Sequence, residues 1–134
     1  MKEEPRLLVW NFSEEEKRNL DQYLESIGAP RAVTIKKNQG FLTLREIIHT
    51  KKTSDKEFEC PEKVLLFYNI PSKGVYFFIN DFKSTNLPRP IYAVVTEHSI
   101  NWPFSELVDH LIEERETIRK LSKKSQKEQK GDEK

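Results

Sequence analysis

Hydrophobic positions along the chain follow two kinds of pattern, and the two alternate twice in the same order. Leu7-Leu8-Val9-Trp10 and Val64-Leu65-Leu66-Phe67-Tyr68 are continuous apolar runs of strand length, rich in β-formers. Runs of that kind suit strands covered on both faces. Each gives way to a helical period. Leu20, Tyr23, Leu24 and Ile27 fall at i, i+3, i+4 and i+7, and Val75, Phe78, Ile79 and Phe82 repeat that spacing. Ser13 and Glu16 form a capping box ahead of the first stripe, and Gly28 closes it. Second strands are predicted at Ala32–Ile35 and Ile91–Val95. A closing helix follows each. Thr43 and Glu46 are a second capping box, opening a short helix to about His49. Asn101 is expected to cap the last helix, with Pro103 tolerated in its first turn and Leu107, Val108, Leu111 and Ile112 facing inward.

The two passes align residue by residue. Leu7-Leu8-Val9-Trp10-Asn11-Phe12 matches Leu65-Leu66-Phe67-Tyr68-Asn69-Ile70, Pro30-Arg31 matches Pro88-Arg89, and Leu42 to Ile48 matches Trp102 to Val108. The pattern predicts an α/β fold from an internally duplicated βαβα unit. The repeats span about 5–50 and 62–116, joined by a polar linker, 51–61, that reads as exposed. With right-handed crossovers, four strands can form one mixed sheet of order 2-1-3-4, helices packed on it and the two central strands antiparallel, with a ferredoxin-like arrangement as the competitor that the βαβα-βαβα order fits poorly. Residues 1–118 read as one domain. Residues 119–134, dominated by Lys, Glu, Ser and Gln, read as a charged, disordered tail.

Composition narrows the function classes. Of 134 residues, 36% are apolar and 34% charged, which fits a compact core under solvated helices and a polar tail. A net charge of +1 argues for neither nucleic acid nor an anionic membrane as the general partner. Cys60 is the only cysteine, so no internal disulfide is expected, and His49, His98 and His110 match no common metal spacing. No apolar run is long enough for a bilayer and the N-terminus has no signal core, so a cytoplasmic location and no membrane contact are expected. The four glycines are scattered, and P-loop, G-x-G-x-x-G, G-x-S-x-G and H-E-x-x-H patterns are absent. No cofactor is implied.

Candidate chemistry gathers at Thr96-Glu97-His98-Ser99-Ile100-Asn101-Trp102. Ligands of open α/β sheets sit beyond the carboxyl ends of strands. The ligand-binding candidates there are Asn11, Asn69, Thr96, Glu97, His98 and Asn101, with His98 or Glu97 as a general acid or base. A structural reading competes: Asn101 caps a helix, Trp102 staples it to the sheet, and Asn11 and Asn69 shape turns. In Tyr76-Phe77-Phe78 the core stripe uses Phe78, leaving Tyr76 and Phe77, together with Trp102, as candidates for an interface. The alternative is their burial beneath the linker or the last helix. Tail lysines could give weak, salt-sensitive attraction to nucleic acid.

Pro90-Ile91-Tyr92-Ala93-Val94-Val95-Thr96, then Asn101-Trp102, then Glu106-Leu107-Val108 and Glu113-Glu114, resembles a family of small prokaryotic proteins catalogued as a domain of unknown function. The resemblance spans roughly Val64 to Glu116 and implies no activity. The leading expectation is a non-catalytic interaction or regulatory module with a protein partner or a second copy of the chain. The alternatives are a small-molecule-binding protein or minor enzyme using the strand-end edge, and a nucleic-acid-associated protein acting through its tail.

Overall fold

The computed structural model describes residues 4–85, 87 and 89–132, with side chains as far as residue 121. Its strands are β1 (Arg6–Trp10), β2 (Ala32–Thr34), β3 (Val64–Tyr68) and β4 (Ile91–Val94), in one open sheet of order β2-β1-β3-β4. β1 pairs parallel with β2, β3 pairs parallel with β4, and the central pair, β1 with β3, is antiparallel. Helices α1 (Glu14–Ser26), α2 (Leu44–His49), α3 (Ser72–Phe82) and α4 (Phe104–Asp132) complete the fold, with two 3-10 turns at Lys37–Gln39 and Ser99–Asn101. Through the expected disordered tail, 119–134, the helical backbone of α4 continues to Asp132, and residues 133–134 lie outside the described residues.

The continuous apolar runs have the cause the pattern implied: both faces of the sheet are covered. Because side chains alternate along a strand, Leu8 and Trp10 of β1 and Val64, Leu66 and Tyr68 of β3 meet α2 and α4. Leu7, Val9, Leu65 and Phe67 meet α1 and α3. A fully buried Leu or Phe contributes roughly 1.5–3 kcal/mol, so this double-sided packing supplies most of the driving force. α1 buries Leu20 and Leu24, α3 buries Val75, Phe78 and Phe82, and α2 buries Leu44, Ile47 and Ile48. Ser13 and Thr43 each make the expected capping box.

Residues matched between the two halves of the sequence face one another. Leu8 pairs with Leu66 at the middle of the β1–β3 ladder, and Thr43 forms an antiparallel bridge with Pro103. That bridge replaces the cap expected at Asn101. The Phe104 and Ser105 amides at the start of α4 donate to the carbonyls of Leu42 and Gly40, and the Leu44 amide returns a bond to the Trp102 carbonyl. With their free amides met by main-chain carbonyls, the first residues of α4 need no side-chain cap. Asn101 falls in the 3-10 turn, whose own cap is the reciprocal pair of Thr96 and Ser99.

The linker is exposed as expected except at Ser54, Phe58 and Cys60. It has no regular secondary structure, yet it is tied down: the Ser54 and Phe58 amides donate to the carbonyls of Asn38 and Lys37. Phe58 packs between Trp10 and Phe104, and the Trp10 indole donates to the Cys60 carbonyl. One aromatic in a charged segment was enough to draw it onto the core.

Candidate functional site

Antiparallel pairing of the central strands decides which candidates can meet. Trp10 is opposite Val64, so Asn11 lies where β3 begins, at the far end of the sheet from Asn69. Its side chain donates to the Pro61 carbonyl at 2.8 Å, fastening the linker. Asn11 therefore leaves the candidate group. Both asparagines hold left-handed backbone, φ 65° and 56°, a conformation that Asn tolerates better than most residues; this is the turn-shaping role weighed against ligand binding.

At the other end, where β3 and β4 both finish, Asn69, Thr96 and Glu97 line one cleft of about 550 Å³. Val95 and Ile100 supply its apolar wall, and Tyr68 and Arg45 also line it. His98 is exposed and not among the lining residues. Asn101 acts on the cleft through Arg45: its side-chain oxygen accepts from the Arg45 Nε at 3.1 Å.

Arg45 is the residue that reading each half by itself misses. It lies on α2, in the first half of the chain, and the Thr43–Pro103 bridge brings it beside the edge built by the second half. The neighbouring carboxylate is engaged elsewhere. Glu46 accepts from the Thr43 amide and hydroxyl and pairs with Lys52, and those contacts, the backbone bond first, hold its carboxyl below the usual range. Among the described residues Arg45 has no carboxylate partner, and Glu97 has no cationic one. The Tyr68 hydroxyl stands 3.4 Å from His49 Nε2 beside the same cleft.

The interface candidates separate as well. Tyr76 and Phe77 are 69% and 55% exposed. The linker and α4 cannot cover them, because those segments pack on the opposite face of the sheet from α3. Trp102 is half-buried, with its ring centroid 4.9 Å from that of His110 one helical stretch further on.

No group of three or more His, Cys, Asp or Glu that could hold a metal ion occurs among the described residues. Nor, among them, is any helix long and apolar enough to cross a membrane.

A domain of unknown function (DUF3783) is found at residues 63–118. That match takes in β3, α3, β4 and the first half of α4, and with them Asn69, Thr96, Glu97 and Asn101, but not Arg45. No curated protein and no solved structure shows significant similarity to the chain.

Proposed function

We propose that this chain is a non-catalytic binding protein whose ligand is a small molecule with an anionic group, held in the cleft beyond β3 and β4. The observation that carries the reading is the Arg45–Asn101 contact. Asn101 was accounted for as a helix cap, and the structure gives α4 other partners for its first amides. What Asn101 does instead is hold the Nε edge of a guanidinium that has no carboxylate among the described residues. Nε fixed in this way leaves the two terminal nitrogens, which are suited to a two-pronged bond with a carboxylate or phosphate. A cleft of about 550 Å³ is within the size range of small-molecule sites.

The test is an amide-shift titration of the labelled protein with inorganic phosphate, with 4-methylpentanoate and with its amino derivative L-leucine, the reading standing if any one of the three shifts the cleft. Shifts at Tyr68, Asn69 and residues 95–101 that vanish in Arg45→Gln support the reading. Shifts that survive Arg45→Gln, or no shifts at millimolar ligand, overturn it.

A second reading, an interaction module that pairs with another copy of the chain, is favoured by Tyr76 and Phe77. Phe77 lines an apolar cleft of about 300 Å³, together with Ile27, Pro30, Ile70 and Phe78, between the end of α1 and the start of α3. Exposed aromatics beside an apolar recess suit a self-complementary contact. Sedimentation of the native chain and of Phe77→Ser checks it: a dimer lost on substitution supports pairing through α3, and a monomer throughout removes it.

A further inference from the structure

Two opposite charges line the strand-end cleft, and neither is neutralised by a neighbour among the described residues. Arg45 is on α2, Glu97 follows β4, and no ion pair joins them although both border the same space. Val95 and Ile100, each almost wholly buried, add apolar edges to a lining that is otherwise polar. Thr96, whose hydroxyl is engaged with Ser99, and Asn69 complete the lining.

From this arrangement we infer that the ligand is a small zwitterion with an apolar body, of the class of a free aliphatic α-amino acid. The inference rests on the binding reading above and narrows its ligand. The carboxylate meets the Arg45 terminal nitrogens, the ammonium meets the Glu97 carboxylate, and the side chain lies on Val95 and Ile100. A simple carboxylate would leave Glu97 facing a second negative charge in the same cleft, an unfavourable contact. A zwitterion turns that repulsion into an attraction, so Glu97 selects against plain anions.

Calorimetric titration of the full chain with L-leucine, 4-methylpentanoate and 3-methylbutylamine tests the inference, because the last two each remove one of leucine's charges. L-leucine is expected to bind at least about tenfold more tightly than either analogue, a difference of about 1.4 kcal/mol. Glu97→Gln should erase the preference over 4-methylpentanoate, and Arg45→Gln the preference over 3-methylbutylamine. Both side chains are exposed, so the melting temperatures of the variants should match that of the native chain. Should 4-methylpentanoate bind as tightly as leucine, the zwitterion is overturned while anion binding at Arg45 stands. If none of the three binds, both readings fall together.

Discussion

Arg115 of α4 grips Glu62 with two prongs, Nη2 to Oε1 at 2.6 Å and Nη1 to Oε2 at 2.9 Å, just ahead of β3. The pair clamps the helix to the sheet at the point where the linker delivers the chain. Bonding to Arg115 holds the Glu62 carboxyl below its ordinary range and raises the guanidinium in turn.

A carboxyl depressed in the folded state stabilises above its unfolded pKa, and that stability is lost as pH falls through the folded value. Glu62→Gln should therefore cost stability at pH 7, and the difference from the native chain should close as pH drops below the usual carboxylate range. Both side chains are about one-third exposed, so solvent screening keeps the expected cost to about 1 kcal/mol. Urea midpoints of the two proteins at descending pH measure it; a gap that stays constant with pH would mean that the charge on Glu62 contributes nothing.

Asn101 and Thr43 separate a proposed ligand-site residue from a helix cap. Removing a true capping side chain costs about 1 kcal/mol, which is expected for Thr43→Ala because it loses the bond to the Glu46 amide. Asn101→Ala removes no cap and should shift stability by less than about 0.5 kcal/mol. Thermal melts of both variants settle the comparison, and an equal loss at Asn101 would return it to a structural role.

Gly40 and Gly28 are required for different reasons. A Cβ on Gly40 would overlap the Cβ of Phe58, the aromatic that anchors the linker. At Gly28, φ 72°, a Cβ meets nothing and only the backbone conformation objects. Gly28→Ala is expected to cost about 1–2 kcal/mol from the left-handed conformation. Gly40→Ala is expected to cost about 1–3 kcal/mol from overpacking. Phe58→Ala should not rescue Gly40→Ala, since alanine keeps the offending Cβ. Denaturant melts of the single and double variants would show this, and full rescue would place the clash further out on the ring.

Tyr23 donates its hydroxyl to Asp81 at 2.7 Å, tying α1 to α3, and burial followed by that bond pushes its ionisation well above the ordinary tyrosine range. Its ring also sits edge-on to Phe78 and Phe82. Tyr23→Phe keeps the ring and should cost about 1.5 kcal/mol for the lost bond to a charged acceptor, at the lower end of such bonds because Asp81 is half-buried. Urea midpoints check it, and an unchanged midpoint would leave the ring packing as the residue's whole contribution.

Much of the fold was legible because its signals are local. The apolar runs, the helical stripes and two capping boxes each lie within a few residues, and the matched halves led to the strand order. What was not legible required contacts between segments far apart in sequence. The amides of α4 find carbonyls at residues 40 and 42, so Asn101 was assigned a capping role that the fold gives to the main chain. Arg45 carried no motif, and its relevance rests on a bridge between Thr43 and Pro103. Phe58 stood alone among charged residues, with nothing nearby in sequence to show that Gly40 leaves room for it.

The antiparallel central strands point the carboxyl ends of the two parallel pairs in opposite directions, giving the sheet two comparable poles. At the β1–β2 pole the segment from Ser54 to Pro61 is laced across the strand ends by Asn38, Lys37, Trp10 and Asn11. At the β3–β4 pole the cleft is open to solvent. A connecting segment of the chain thus already occupies the first vacancy, so the proposed binding carries a stoichiometry set by chain path: one ligand per polypeptide, from a scaffold whose geometry offers two seats.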